Sequence, residues 1–245
     1  MWINLLSLDA PVVAVVWQSF LAVVYPSVLR PGGRLVLGLT VWVIYLADRL
    51  LDVRLPHYSG EAISHRFYRQ HHQFAVTLLG IAFSADLALC LLWLRHSVLI
   101  NGLFVSACVI AYFGIFPALR IGTRWKPIAT SILFTAGVFL VAWTGTANPE
   151  RTFGLPAVAF CLLCQANLAL ISSWERGISP SKAMTLVVLL LAVCAFSGAS
   201  KWYAAVALSG FGLLGLILLG KNLSNSTRRV MADAVLLSPL LFTWQ

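Results

Sequence analysis

Long apolar blocks fill this chain from one end to the other, and short polar clusters cut them apart. The blocks run over 10–29, 34–53, 74–94, 97–118, 126–146, 153–173, 182–199, 202–220 and 228–245. Each is about as long as a helix needs to cross a ~30 Å hydrocarbon layer. The cuts carry breakers or charges: "RPGGR" at 30–34, "RH" at 95–96, "TANPER" at 146–151 and "GKNLSNSTRR" at 220–229. A transmembrane barrel would show shorter segments of alternating polarity. The pattern predicts an all-α polytopic membrane protein with nine transmembrane helices, a single transmembrane domain over 1–245 and no second, soluble domain.

Composition narrows the picture. Charged residues make up 10% of the 245 and hydrophobic ones 60%, whereas soluble domains carry about 25% charged residues. The first block lacks a basic leader and reads as a permanent span, not a cleaved signal. Cys90, Cys108, Cys161, Cys164 and Cys194 all lie inside apolar blocks. The Cys161–Cys164 spacing has no companion ligand pair, so buried packing is the better reading.

The net charge of +9 matters through its distribution. With the N-terminus cytoplasmic, twelve of the basic residues fall at inside ends and loops and five outside. That bias fits the positive-inside rule. It predicts a bacterial inner-membrane protein with its C-terminus outside, surrounded by lipid, and no nucleic acid partner.

The polar chemistry gathers on that inside face. In "YLADRLLDV", 45–53, Asp48 and Asp52 stand four residues apart and share one helix face. Adjacent carboxylates repel unless a cation lies between them. Mg²⁺ takes one or two carboxylates and completes its shell with water and substrate phosphates. The pair equally reads as a solvated helix end neutralised by Arg49 and Arg54. A second segment repeats part of the pattern: in "ISSWERGISP", 171–180, Ile171, Glu175 and Arg176 align with Ile44, Asp48 and Arg49, 127 residues earlier. Equivalent acid–arginine ends suggest two pseudo-repeated halves around a central cavity. Basic residues of the inside loops include Arg66, in "SHRFYRQHH", and Lys126, at the head of the fifth block. They suit phosphate binding or serve only to set topology.

Acidic ends on the second and sixth blocks, with basic loops beside them, resemble the UbiA-type superfamily of intramembrane prenyltransferases. "IYLADRLLD" keeps the second and third aspartates of that family's first motif as Asp48 and Asp52, and "ISSWERGIS" keeps one acidic position of its second as Glu175. Ile44 and Tyr45 replace an Asn-Asp opening, and Ser179 replaces a final aspartate. "SLDAP", 7–11, is similar to the family's opening. The resemblance implies Mg²⁺ held by Asp48, Asp52 and Glu175. It implies an isoprenoid diphosphate bound by Arg66, Lys126 and Arg176, with polar help from Asn167 and an aromatic contact from Tyr45. The reaction implied is Mg²⁺-dependent prenyl transfer to an apolar or aromatic acceptor, or cyclisation of the prenyl chain. The alternative is a non-catalytic member of the same fold that binds lipid or a partner.

Asp86, mid-way along the third block, is a functional candidate by depth alone or a helix-packing hydrogen bond. With the internal repeat it also leaves a transporter reading open. Asp233 is expected to pair with Arg229 one turn earlier. Tyr112 and Trp174 are weaker aromatic candidates, and His71 and His72 read as a solvated loop.

Overall fold

A computed structural model describes residues 8–25, 31–54, 68–118, 125–197 and 200–242. The described residues are helical, without strands. The helices are α1 (Asp9–Val24), α2 (Pro31–Arg54), α3 (His72–Trp93), α4 (His96–Ala118), α5 (Lys126–Thr144), α6 (Pro149–Glu175), α7 (Ser181–Phe196), α8 (Lys201–Leu219) and α9 (Asn225–Val235), with 3₁₀ turns at Gly220–Asn222 and Ser238–Leu241. By length and composition α3, α4, α5, α6 and α8 can each cross a membrane, and α1 and α7 are shorter apolar helices. The polar cuts act as local punctuation. Prolines open α5 and α6, where a missing N–H costs nothing. Ser200 and Ser224 cap α8 and α9 by accepting from Tyr203 N and Thr227 N.

Helices in lipid gain little from hydrophobic association, so packing and buried hydrogen bonds hold them. The core lies where α1, α5, α6 and α8 meet. Trp17, fully buried, has its ring centroid 4.8 Å from that of Phe160 and 5.1 Å from that of Trp202, and Phe139 reaches Trp202 at 5.4 Å. Around this core α3 packs on α2 and α4 on α5. The outward faces of α3 and α4 carry exposed Leu91, Leu92, Phe104 and Ile110, the surface lipid would cover. The cysteines are unpaired, and Cys161 Sγ donates to Ser131 Oγ across α5 and α6 at 3.7 Å. Packing is their visible role.

The segment 228–245, expected as one span, takes a different form. Helix α9 stops at Val235, and Ser238–Leu241 turns as 3₁₀. Pro239 accounts for the stop: continued helix would drive its ring into the Val235 carbonyl, four residues back. Carbonyls freed inside a membrane bundle need donors. Ser209 Oγ donates to Val235 O at 2.9 Å, Trp17 Nε1 to Leu236 O at 2.7 Å, and Ser238 Oγ to Ala205 O at 2.7 Å. Gly212 lets the end of α9 sit against α8, since a Cβ there would meet Val235 Cγ1 at 2.5 Å. The result is a half-length helix that ends within the bundle, its last carbonyls tied to α1 and α8.

Candidate functional site

The C-terminal ends of α2 and α6 and the N-terminal ends of α5 and α9 bring their charges to one end of the bundle. Asp48, six residues before the end of α2, accepts an ion pair from Lys126 at the first position of α5, with Nζ 3.0 Å from Oδ1. Both side chains are about one-quarter exposed. Glu175, the last residue of α6, takes Arg229 from the first turn and a half of α9, with Nη1 3.2 Å from Oε1. Glu175 is the more open partner, half exposed.

The "WERGI" stretch explains where Glu175 sits. Gly177 adopts φ +62°, a conformation costly for other residues. Its N–H donates to Trp174 O at 3.2 Å, while Ile178 N–H donates to Ser173 O at 2.9 Å. That is the paired-bond Schellman ending of a helix. Arg176 is exposed and returns its Nε to Ser172 O at 3.1 Å, so it closes the last turn of α6. The acid and arginine that mirror Asp48 and Arg49 thus lie within a helix stop signal.

A cleft of about 390 Å³ opens beside this stop, lined by residues that include Trp174, Ser179, Leu216, Asn225 and Arg228. The Arg228 guanidinium carbon lies 5.8 Å from the Trp174 ring centroid, and its Nε donates to Gly220 O at 2.7 Å. The cleft therefore joins an oriented cation to an apolar floor.

The other expected site residues divide. Asn167, buried on α6, gives Nδ2 to Asp233 Oδ1 at 3.1 Å. Tyr45 lies one turn before Asp48 on α2, within electrostatic range of Asp9, Asp233, Asp48 and Cys164. Arg66 lies outside the described residues, as does the side chain of Asp52 on α2. Of the three acids expected to hold Mg²⁺, Asp48 meets Lys126 and Glu175 meets Arg229. Among the described residues no three His, Cys, Asp or Glu side chains gather as a metal cage.

Asp86 takes its packing reading. Thr40 Oγ1 donates to both carboxyl oxygens, at 2.9 and 3.0 Å, and ties α2 to α3. Tyr112 meets Thr130 at 3.5 Å between α4 and α5, one turn along α5 from Lys126, whose carbonyl Thr130 Oγ1 also reaches at 2.8 Å. Asp233 keeps Arg229 within electrostatic range, as expected, but the Arg229 ion pair goes to Glu175, and Asp233 accepts from Asn167 and lies within reach of Asp9. Sequence reasoning placed neither Asp9 nor Asp233 in a site. Their meeting depends on α9 folding back into the bundle, which no spacing along the chain announces.

The chain matches no family model, and neither curated proteins nor solved structures yield a significant match.

Proposed function

We propose that this protein is an intramembrane prenyltransferase that transfers an isoprenoid group from its diphosphate to an apolar or aromatic acceptor. The observation that carries this reading is the Asp48–Lys126 pair, a carboxylate and an ammonium held 3.0 Å apart at the wet end of an apolar bundle. A partly exposed ion pair contributes only about 0–1 kcal/mol, so an incoming diphosphate can take the ammonium at little cost. Lys126 would hold the diphosphate as a point charge. Arg228, over the Trp174 ring in the cleft beside the end of α6, and exposed Arg176 at that helix end add cations at the same end of the bundle. Arg66, between α2 and α3 in the sequence and outside the described residues, is the further cation expected there.

Mg²⁺ fits this site only in part. Asp48 supplies one carboxylate, and Asp52 one turn on is its natural companion on α2. Glu175 would have to leave Arg229 to join them. Bound with the diphosphate, the ion would neutralise charge developing on the leaving group. The rest falls to the chain. The donor's C1–O bond breaks with its electron pair leaving on the diphosphate, and Lys126 stabilises that charge. The Tyr45 ring, one turn away, offers a π face to the allylic cation. The acceptor then bonds to C1 and loses a proton.

The fold in this reading has two halves. Asp48 with Lys126 joins α2 to α5, and Glu175 with Arg229 joins α6 to α9; each pair spans the same step of three helices. Helices α1–α8 would cross the membrane of a bacterial cell, with α9 and its 3₁₀ turn as a broken ninth segment. The charged end would face the cytoplasm, following the basic residues.

One observation favours a second reading, a protein that binds prenyl lipid without turnover: protein cations already neutralise both acids. A product scan separates the two. Purified protein with Mg²⁺ and isoprenoid diphosphates of increasing length, with and without aromatic acceptors, should yield prenylated or cyclised product by mass spectrometry. Saturable binding with intact donor at every length would reject catalysis.

A further inference from the structure

In the cleft beside the end of α6 a cation, two helix N-termini and an apolar floor come together. Its volume of about 390 Å³ lies within the range of small-ligand pockets. Trp174, Leu216 and Ile217 supply the floor, Ile178 and Ser179 the loop side, and none of the lining residues is acidic. Arg228 brings the charge. Its guanidinium carbon lies 5.8 Å from the Trp174 ring centroid, and its Nε donates to Gly220 O at 2.7 Å. A neutral carbonyl orients that cation without cancelling it. Glu175, beside Trp174 in the chain, has its own partner in Arg229.

The helix ends around the cleft carry the same sign. Helix α7 begins at Ser181, after Pro180, and α9 begins at Asn225; Pro180 and Asn225 both line the cleft. A helix N-terminus is partially positive, and natural sequences place acids there. Neither of these helices has an acidic residue in its first turn. The sequence puts Lys182 in the first turn of α7 and Arg228 in that of α9, the unfavourable sign at both ends. No side chain caps α7, so its first N–H groups remain donors in search of an acceptor. An anion in the cleft would offset both cations and use those donors, and phosphate is the usual anion at such helix ends.

The surroundings say which phosphate. The cleft lies where apolar α6 and α8 end, at the level where hydrocarbon gives way to headgroups. Leu219, next to Gly220 in its wall, is 83% exposed, and Ile178, Met184 and Val188 are exposed beside it along the loop and α7. A soluble anion has no use for that surface; acyl chains do. We infer that the cleft holds the phosphate of an anionic membrane phospholipid, with Arg228 as its principal contact and the start of α7 at its rim. The acyl chains run over Leu219, Met184 and Val188. The site needs neither Mg²⁺ nor an isoprenoid donor, so it stands apart from the prenyl-transfer reading. It assigns Arg228 to lipid and leaves Lys126 to the diphosphate.

Native mass spectrometry of the purified full-length protein, released from detergent with added phosphatidylglycerol or phosphatidylcholine, tests it. Wild type should retain one phosphatidylglycerol and bind phosphatidylcholine, whose own cation offsets its phosphate, at least about 10-fold more weakly. Arg228→Ala should weaken phosphatidylglycerol binding by about 10–100-fold, the loss of one charge-assisted contact. Should Arg228→Ala fail to fold, Ser179→Glu carries the test. Ser179 is exposed, and an acid just before α7 favours that helix end. Ser179→Glu should therefore melt no lower than wild type while losing phosphatidylglycerol by a similar factor. Lys126→Ala should keep it. Equal retention of the two lipids by wild type, or unchanged phosphatidylglycerol binding in Ser179→Glu, would overturn the proposal. Displacement of phosphatidylglycerol by millimolar inorganic phosphate would overturn it by making the cleft a site for soluble anions. Binding lost in Lys126→Ala would do so by joining the cleft to the diphosphate site.

Discussion

Trp17→Ala is expected to destabilise the fold by about 3–5 kcal/mol, the usual range for emptying a large aromatic site. Trp17 is fully buried between Phe160 and Trp202, and its loss removes ring contacts to α6 and α8 at once. Its indole also supplies the donor to Leu236 O at 2.7 Å. That carbonyl is at the end of α9, inside the bundle, with no water to replace the indole. Trp17→Phe separates the two contributions: it keeps most of the packing and drops the donor, so it should cost only about 1–3 kcal/mol. Equilibrium unfolding of both variants in mixed micelles gives the comparison. Equal losses for Phe and Ala would mean that the hydrogen bond alone carries the effect.

Lys126→Ala should weaken binding of an isoprenoid diphosphate by about 10–100-fold, as expected for a charge-assisted contact worth about 1.5–3 kcal/mol. The variant should remain folded. Its ion pair with Asp48 is partly exposed, so its loss costs about 0–1 kcal/mol. Lys126→Arg should restore part of the affinity, because the guanidinium still reaches phosphate. Calorimetric titration with a non-ionising thio-diphosphate analogue reads these changes without turnover. Unchanged affinity in Lys126→Ala would remove Lys126 from the site.

The helical blocks were legible because hydrocarbon thickness, turn residues and charge all mark the same boundaries. Lys126 opens α5 as its place after "RIGTRW" suggests, and α3 follows the apolar block at 74–94, though its helix begins at His72, which reads as loop in the sequence. Asp86 was half legible: its depth marked it as costly, while its partner Thr40, on another helix, needed the fold. The site was harder to read. Asp48 and Glu175 stood out as acids at helix ends, but which base each would meet depends on α5 and α9 arriving at the same face. In "WERGI" one stretch carries two meanings, an acidic position and a helix stop, and the second is settled only by the φ of Gly177. Asp9 and Asp233 were least legible. They meet because Pro239 breaks the last apolar block and because Trp17 and Ser209 bind the broken end inside the bundle. Hydropathy counts that block as one more span and is blind to the break.

Pyrophosphate release by purified wild-type protein and by Asp48→Asn, with Mg²⁺ and an isoprenoid diphosphate, tests the prenyl-transfer account most directly. Steady release by wild type, lost in Asp48→Asn while the variant keeps its fold, is the predicted result. Equal release by both proteins, or none by wild type with any donor, would contradict it.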